Sequence, residues 1–102
     1  SPPDIGPAEA QEVTQALLSG WITTGPRTKE YEREIAAYCH TEKAVCLNSA
    51  TACMEMILRV LGVGPGDEVF TSAYTYSATA SVTCLVGAKV VLVDTAPGSF
   101  EM

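Results

Sequence analysis

The sequence has few of the residues that bind nucleic acids or metal ions. Six Lys and Arg residues stand against twelve Asp and Glu residues, so the formal charge at pH 7 is −6. The basic residues form no stripe that could neutralise phosphates, which argues against nucleic acid as the main partner. One histidine and four cysteines without a CxxC pair do not make a zinc site, so we predict no metal centre. Apolar segments contain all four cysteines, a pattern typical of buried thiols in a reducing cytoplasm: Cys39, Cys46, Cys53 and Cys84.

Further absences restrict the function. No apolar run approaches the ~20 residues of a membrane-spanning helix. No signal peptide is visible, although the chain starts at Ser1 without a methionine and we expect it to have lost its beginning. The glycine fingerprint of dinucleotide-binding folds and the lysine of a P-loop are missing. With 47% apolar and 18% charged residues the composition is that of a folded protein, and 102 residues allow one domain at most.

The middle of the chain has the pattern of a strand followed by a phosphate-binding turn. An apolar run at residues 44–47 predicts a buried strand, and an apolar helix to Leu61 begins directly after a turn of small residues. The first N–H groups of such a helix, at its positive dipole end, can bind an anion, and Ser49 and Thr51 can each add a hydroxyl donor. An ordinary turn with Ser or Thr as N-cap explains the same residues, so both interpretations stay open here.

Two helices and an irregular loop precede this stretch. Pro7 starts a helix that runs to about Ser19. Residues 21–26, Trp-Ile-Thr-Thr-Gly-Pro, are too irregular for a helix or strand and predict a loop of the kind that often carries function. Thr28 is the expected N-cap of the second helix, after which we interpret His40 as a C-terminal cap residue rather than a ligand.

The second helix should end near Tyr38 and bury one apolar face, formed by Tyr31, Ile35 and Tyr38. Glu30 and Glu34 have a spacing that could hold a metal ion or do acid/base chemistry. Because Lys29 and Arg33 lie beside them, a solvated charged face is the favoured interpretation.

The rest of the chain predicts two more strands around one helix. Turn residues at 62–67 lead into a strand from Glu68 to Thr71, and a helix follows that reaches Val86. Residues 89–93 form the last strand, with a fully apolar centre. The order strand, helix, strand, helix, strand predicts parallel strands with right-handed crossovers, which is the α/β class.

In a parallel sheet, ligands bind at the carboxyl ends of the strands. Residues 48–51, residues 72–77 and residues 94–95 should therefore lie at one edge of the sheet. A helix N-terminus for a phosphate, together with an aromatic ring from Tyr74 or Tyr76, describes a pocket for a flat, phosphorylated cofactor.

Four motifs in order resemble those of the DegT/StrS family of sugar aminotransferases, which are pyridoxal-phosphate (PLP) enzymes with the aspartate-aminotransferase fold. The resemblance covers nearly the whole chain. It implies that residues 1–102 are the N-terminal portion of a single large domain, the three-layer α/β/α domain of fold type I. The motifs are Gly20-Trp21-Ile22-Thr23-Thr24-Gly25-Pro26, Leu47-Asn48-Ser49-Ala50-Thr51-Ala52, Gly64-Pro65-Gly66-Asp67-Glu68-Val69, and the stretch from Thr71 to Thr79.

The resemblance also implies the roles of particular residues. Ala50 and Thr51 would hold the cofactor phosphate, and Tyr76 would stack on the pyridine ring. The nucleotide-sugar site near a dimer interface would include Ile22, Thr23, Thr24 and Gly25. The lysine that binds the cofactor covalently lies later in the family's sequences, beyond residue 102, so no catalytic residue is expected in this chain.

The expected function is therefore that of a fragment of a cytoplasmic, homodimeric aminotransferase. When whole, it would move an amino group from an amino acid, glutamate being the expected donor, to a keto-sugar nucleotide used in polysaccharide or secondary-metabolite biosynthesis. A PLP-type sugar dehydratase and a non-catalytic regulatory homologue share these motifs and stay open as alternatives. The 102-residue chain by itself should be inactive.

Overall fold

The computed structural model describes residues 2–99 and residue 101. Over these residues the chain divides into two compact units, Ser1–Cys46 and Leu47–Met102. The elements, in chain order, are α1 (Pro7–Leu18), α2 (Pro26–Tyr38), α3 (Ala50–Val60), β1 (Glu68–Ser72), α4 (Ala78–Leu85) and β2 (Lys89–Val93).

Both helices of the first unit begin at a Gly-Pro pair. Gly6 and Gly25 are the N-cap residues, and a proline fills the first helical position, where no N–H group is needed. The prediction that Thr28 caps α2 is wrong, because the helix already begins at Pro26 and makes no side-chain cap. Proline is preorganised for this position, which places Thr28 inside the first turn.

The C-terminus of α2 agrees with the prediction for His40. This residue has a φ of 53°, the left-handed conformation that ends many helices. Its N–H group donates to the Ala37 carbonyl at 3.2 Å, and the Thr41 N–H group donates to the Ala36 carbonyl at 3.0 Å. These two bonds are those of a Schellman motif, so His40 is a cap residue.

The predicted apolar face of α2 is only partly buried. Ala36 is buried and Ile35 half-buried, but Tyr31 is 56% exposed and Tyr38 84% exposed. The prediction that both tyrosines are buried is wrong for this structure. Helical spacing identifies residues that share a face, whereas burial also requires a second element over that face.

The second unit is built on a parallel pair of strands joined by α4. β1 pairs with β2 from Glu68 opposite Lys89 to Ser72 opposite Val93, which confirms the predicted parallel arrangement and the α/β class. Helix α4 packs on both strands and on α3. Most of the core lies here, in Thr71, Ala78, Val82, Thr83, Val86 and Ala88.

The predicted strand at residues 44–47 does not form, so the predicted three-stranded order is reduced to two strands. Strand structure requires a partner to complete its hydrogen bonds, and none of the described residues pairs with this segment. Instead, the Cys46 N–H group donates to Glu32 Oε1 at 2.8 Å, while Val45 is 74% exposed.

The cysteines also differ from the prediction. Cys39 and Cys84 are exposed, and Cys46 and Cys53 are half-buried. Apolar neighbours in sequence do not by themselves bury a residue, since Leu85 beside Cys84 is 60% exposed and Tyr38 beside Cys39 is 84% exposed.

Candidate functional site

The start of α3 has one helix N–H group occupied and two left available. Ser49 is the N-cap, and its Oγ accepts a hydrogen bond from the Ala52 N–H group at 3.1 Å. The capping interpretation is therefore correct for Ser49. No acceptor in the described part of the chain reaches the N–H groups of Ala50 and Thr51 or the Thr51 hydroxyl. Capping and anion binding thus use different groups of the same turn.

The electrostatics of this helix favour an anion at its start. Its first turn contains no acidic residue that would neutralise the positive end of the dipole. At the other end, Arg59 lies in the last turn, where a cation is favourable, and it donates to Glu55 Oε1 at 2.7 Å. The small side chain of Ala50 keeps the backbone approachable for a ligand.

The turn after β1 presents an aromatic ring. Ser72 Oγ accepts a hydrogen bond from the Tyr74 N–H group at 3.1 Å, and the Thr75 and Thr79 hydroxyls lie 3.2 Å apart. These contacts order the turn on both sides of Tyr76, whose side chain is 78% exposed. The ring of Tyr76 is therefore accessible to a planar ligand.

The strand register brings part of the predicted edge together. Because Ser72 is opposite Val93, residues 73–77 and residues 94–95 follow the same end of the two strands. At that end the Asp94 carboxylate accepts a hydrogen bond from the Thr95 N–H group at 2.8 Å. That residues 48–51 lie at this same edge stays a prediction, because residues 44–47, which were predicted to lead to it as a strand, do not form one.

The loop predicted at residues 21–26 lies between α1 and α2 and covers residues 21–25, because Pro26 is already the first residue of α2. A cavity of about 150 Å³ is lined by Thr23, and another of about 250 Å³ by Thr24. Trp21 and Gly25 line both cavities. Ile22 is 73% exposed and lines neither of them.

Sequence reasoning missed the contact between Trp21 and Gly25. A Cβ atom at Gly25 would lie 3.1 Å from Trp21 Cε3, so the indole occupies the space beside the glycine. The available signal was a large aromatic four residues before a glycine in an irregular segment.

Two other features of the described residues bear on the predictions. A larger cleft of about 530 Å³ lies along α2 and residues 41–45, but it contains none of the predicted site residues. Glu30 pairs with Arg33, which agrees with a solvated charged face on α2.

Among the described residues no group of three or more His, Cys, Asp or Glu side chains could hold a metal ion, and no helix is long and apolar enough to cross a membrane.

A parallel pair of strands joined by a helix defines an α/β fold, and in such folds ligands bind at the carboxyl ends of the strands. Comparison with known proteins makes this assignment specific. Residues 3–102 match the DegT/DnrJ/EryC1/StrS aminotransferase family, and the chain belongs to this family.

Two sequence relatives have names that state a biosynthetic role or an enzyme activity. The spore coat polysaccharide biosynthesis protein SpsC of Bacillus subtilis is 46% identical over 92 residues, which are 90% of this chain and 24% of SpsC. The UDP-4-amino-4-deoxy-L-arabinose–oxoglutarate aminotransferase of Shewanella sediminis is 47% identical over 92 residues, which are 90% of this chain and 24% of that protein.

A solved structure is also similar over the whole chain. The sugar aminotransferase Spr1654 of Streptococcus pneumoniae, described as putative and solved in its PLP form, is 61% identical with a TM-score of 0.93. The match covers 100% of this chain and 26% of Spr1654. The chain therefore spans about a quarter of the length of the relatives it matches.

Proposed function

We propose that this chain is the N-terminal part of the large domain of a PLP-dependent aminotransferase that moves an amino group from an amino acid to a keto-sugar nucleotide. Membership of the family supports the reaction class. The name of the Shewanella relative supports a nucleotide sugar as the acceptor and the glutamate/oxoglutarate pair as donor and product. The name of SpsC supports a place in polysaccharide biosynthesis.

The residues at the start of α3 fit a phosphorylated cofactor. Two N–H groups and one hydroxyl, from Ala50 and Thr51, have no acceptor in the described chain and lie at a positive helix end. We assign these groups to the cofactor phosphate and the exposed ring of Tyr76 to the pyridine ring. When bound, PLP supplies an electron sink for the reaction. The residues of this chain bind and orient it.

The observation that carries the proposal is the pair of available N–H groups with the Thr51 hydroxyl beside them. In the full-length enzyme, Thr51→Val keeps the shape of the side chain and removes the donor. We expect PLP to bind about 1–3 kcal/mol more weakly, the cost of losing a hydrogen bond to a charged group.

Equilibrium dialysis of PLP against the parent enzyme and the variant measures this loss. Thr14→Val is the control, because the Thr14 hydroxyl donates to the Ala10 carbonyl within α1 and serves no ligand in the proposal. Equal PLP affinity in Thr51→Val and the parent enzyme contradicts the phosphate assignment.

The ring of Tyr76 is tested separately from its hydroxyl. Stacking requires the ring, so Tyr76→Ala should weaken PLP binding while Tyr76→Phe should largely retain it. Tyr38→Ala is the matched control, since Tyr38 is 84% exposed on α2. Similar losses in the Ala and Phe variants would show that the hydroxyl is the important group.

We assign the nucleotide sugar to Ile22, Thr23, Thr24 and Gly25, and we expect the intact enzyme to be a cytoplasmic homodimer. An exposed, hydroxyl-rich loop between two helices supports the substrate assignment. The many exposed apolar side chains of the described chain support association with further protein surface. Sedimentation velocity of the full-length enzyme tests the dimer, and a fully active monomer would contradict it.

The 102-residue chain by itself should not bind PLP covalently at one site. Lys89 begins β2 and donates to Glu68 Oε1 at 2.7 Å, at the opposite end of the strands from Tyr76. The other lysines, Lys29 and Lys43, belong to the first unit. Borohydride reduction after incubation with PLP, followed by peptide mapping, should give only weak labelling spread over the three lysines. Stoichiometric labelling of one of them would contradict this.

A further inference from the structure

Both ends of the loop at residues 21–25 are fixed by hydrogen bonds to the adjoining helices. At its start, Ser19 Oγ accepts a hydrogen bond from the Trp21 N–H group at 3.2 Å and donates one to the Ala16 carbonyl at 2.7 Å. At its end, the Gly25 carbonyl accepts a hydrogen bond from the Lys29 N–H group at 3.3 Å in the first turn of α2. The three residues between these ends depend on other contacts for their position.

Gly25 is not required by its backbone conformation. Its φ of −151° is extended and open to any residue. The restriction is steric, because an added Cβ would lie 3.1 Å from Trp21 Cε3 and 3.4 Å from both Cβ and Cδ2 of the same residue. The indole would have to move by a few tenths of an ångström to make room.

Gly6 provides a comparison within the same unit, since it is also an N-cap followed by proline. A Cβ at Gly6 would approach only Glu9 Oε2, at 3.3 Å, the far end of a flexible side chain that also accepts a hydrogen bond from the Gly6 N–H group. The close approach to a large rigid ring is therefore a property of Gly25 and not of Gly-Pro helix starts in general.

The indole also divides the space around the loop. Trp21 lines both neighbouring cavities, one of which contains Thr23 and the other Thr24. Movement of the ring would therefore change both cavities, and with them the surroundings of both hydroxyls. The side chain is 60% exposed, and its approach to Gly25 is one of the contacts of its remaining surface.

We propose that Trp21 is a positioning residue for the nucleotide sugar: its indole packs on Gly25 and holds Thr23 and Thr24 in the places where they meet the substrate. This inference rests on the proposed assignment of the loop to substrate binding. It gives Trp21 a role in substrate binding and explains why position 25 is a glycine.

The test is a double-mutant cycle in the full-length enzyme with Trp21→Ala, Gly25→Ala and the double variant. Each single variant should raise KM for the nucleotide sugar about fivefold to tenfold, because small displacements of binding groups have large kinetic effects. The values of kcat and of PLP affinity should stay unchanged. The rise in KM of the double variant should be much smaller than the product of the two single effects, since a methyl group at position 25 no longer meets the indole and only the direct contact of Gly25 with the substrate remains.

Two variants separate positioning from general damage. Trp21→Phe keeps an aromatic ring over Gly25 and should recover most of the lost affinity. Gly6→Ala adds the same methyl group at a matched helix start and should leave KM unchanged. Multiplicative effects in the double variant, or a loss of kcat and PLP affinity as large as the change in KM, would overturn the proposal.

Thr23→Val and Thr24→Val distinguish failure of this proposal from failure of the substrate assignment. If these variants raise KM but Gly25→Ala does not, the loop binds substrate and Trp21 does not position it. If neither threonine variant changes KM, the substrate assignment itself is wrong and the positioning role fails with it. Trp21 is the only tryptophan of these 102 residues, and the emission lost in Trp21→Phe is that of its indole; a shift of this difference in Gly25→Ala reports the packing contact independently of activity.

Discussion

The two units of the chain differ in how much of their apolar surface they bury. The unit from Leu47 onward contains the paired strands, the helix between them and nearly all the buried side chains. In the unit before it, Ala36 is the buried apolar residue among those described, while Val13 and Leu17 on α1 are 59% and 63% exposed. In the βαβ unit α4 buries part of the apolar surface of the strands, although Phe70 and Leu92 stay 62% exposed, whereas two helices and a loop leave most of their apolar surface open.

The proposed cofactor residues and the proposed substrate residues belong to different units. The proposed cofactor residues, Ala50, Thr51 and Tyr76, belong to the unit with the parallel strands. The proposed substrate residues at 22–25 belong to the less buried unit, where the loop depends on local contacts such as that between Trp21 and Gly25. We therefore expect the cofactor turns to be the more protected part and the substrate loop the more adaptable part.

The largest expected effect comes from the same substitution made in both units. Val82 on α4 is 2% exposed, so Val82→Ala removes buried methyl groups and leaves a cavity; we expect a loss of about 2 kcal/mol in the free energy of unfolding. Val13→Ala removes exposed methyl groups on α1 and should change stability by less than about 0.5 kcal/mol.

Urea unfolding, with hydrogen exchange of the β1 and β2 amides, measures both changes. Equal destabilisation of the two variants would contradict the difference in burial between the units. Loss of protection in Val82→Ala at only the amides of the second unit would show that the effect is local to that unit.

A smaller effect of opposite sign is expected at Thr83. This residue is 0% exposed, and its hydroxyl has no hydrogen-bond partner in the described part of the chain. Burying an unpaired hydroxyl is unfavourable, so Thr83→Val should stabilise the protein by about 1 kcal/mol.

Thr14→Val is the matched control in the first unit, where the exposed hydroxyl already donates to the Ala10 carbonyl at 2.8 Å. It should be close to neutral. Thermal unfolding of the two variants gives the comparison, and destabilisation by Thr83→Val would show that its hydroxyl has a favourable interaction in solution.

The smallest effect concerns pH and the two Gly-Pro helix starts. Hydrogen bonds from the backbone N–H groups of Glu9 and Gly6 hold the pKa of the Glu9 carboxyl below its ordinary value of 4.5. A carboxylate with a lowered pKa stabilises the folded state above its ordinary value, and that stabilisation is lost as the pH falls through the lower value in the folded protein. The start of α2 has no acidic residue in its first turn and lacks this dependence.

Protection of the amides at the start of α1, expressed relative to their intrinsic exchange rates and measured from pH 7 downward, should decrease as the pH falls below 4.5, whereas Glu9→Gln should remove this dependence. The side chain is fully exposed, so the change should be small and should decrease with added salt. An equal response at the start of α2 would show that the carboxylate at Glu9 is not its cause.

The parts of the fold that were predicted correctly depend on local chemistry. β1 has two apolar residues, Val69 and Phe70, directly after a turn, β2 is an apolar run, and their parallel pairing follows from the helix that joins them. His40 ends α2 because a left-handed residue there completes the helix hydrogen bonds. The four motifs at residues 20–26, 47–52, 64–69 and 71–79, taken in order, were sufficient to recognise the family that the comparisons show.

The features that were predicted wrongly, or not at all, depend on which other residues lie next to a segment in the folded chain. The run at 44–47 has the composition of a strand but no partner among the described residues, so its apolar side chains stay partly exposed. The sequence also left open whether Ser49 caps α3 or binds a ligand. The fold shows that it caps, leaving Ala50 and Thr51 for the proposed phosphate. The space that Trp21 takes beside Gly25 was visible only in three dimensions, because a sequence lists side chains without their distances.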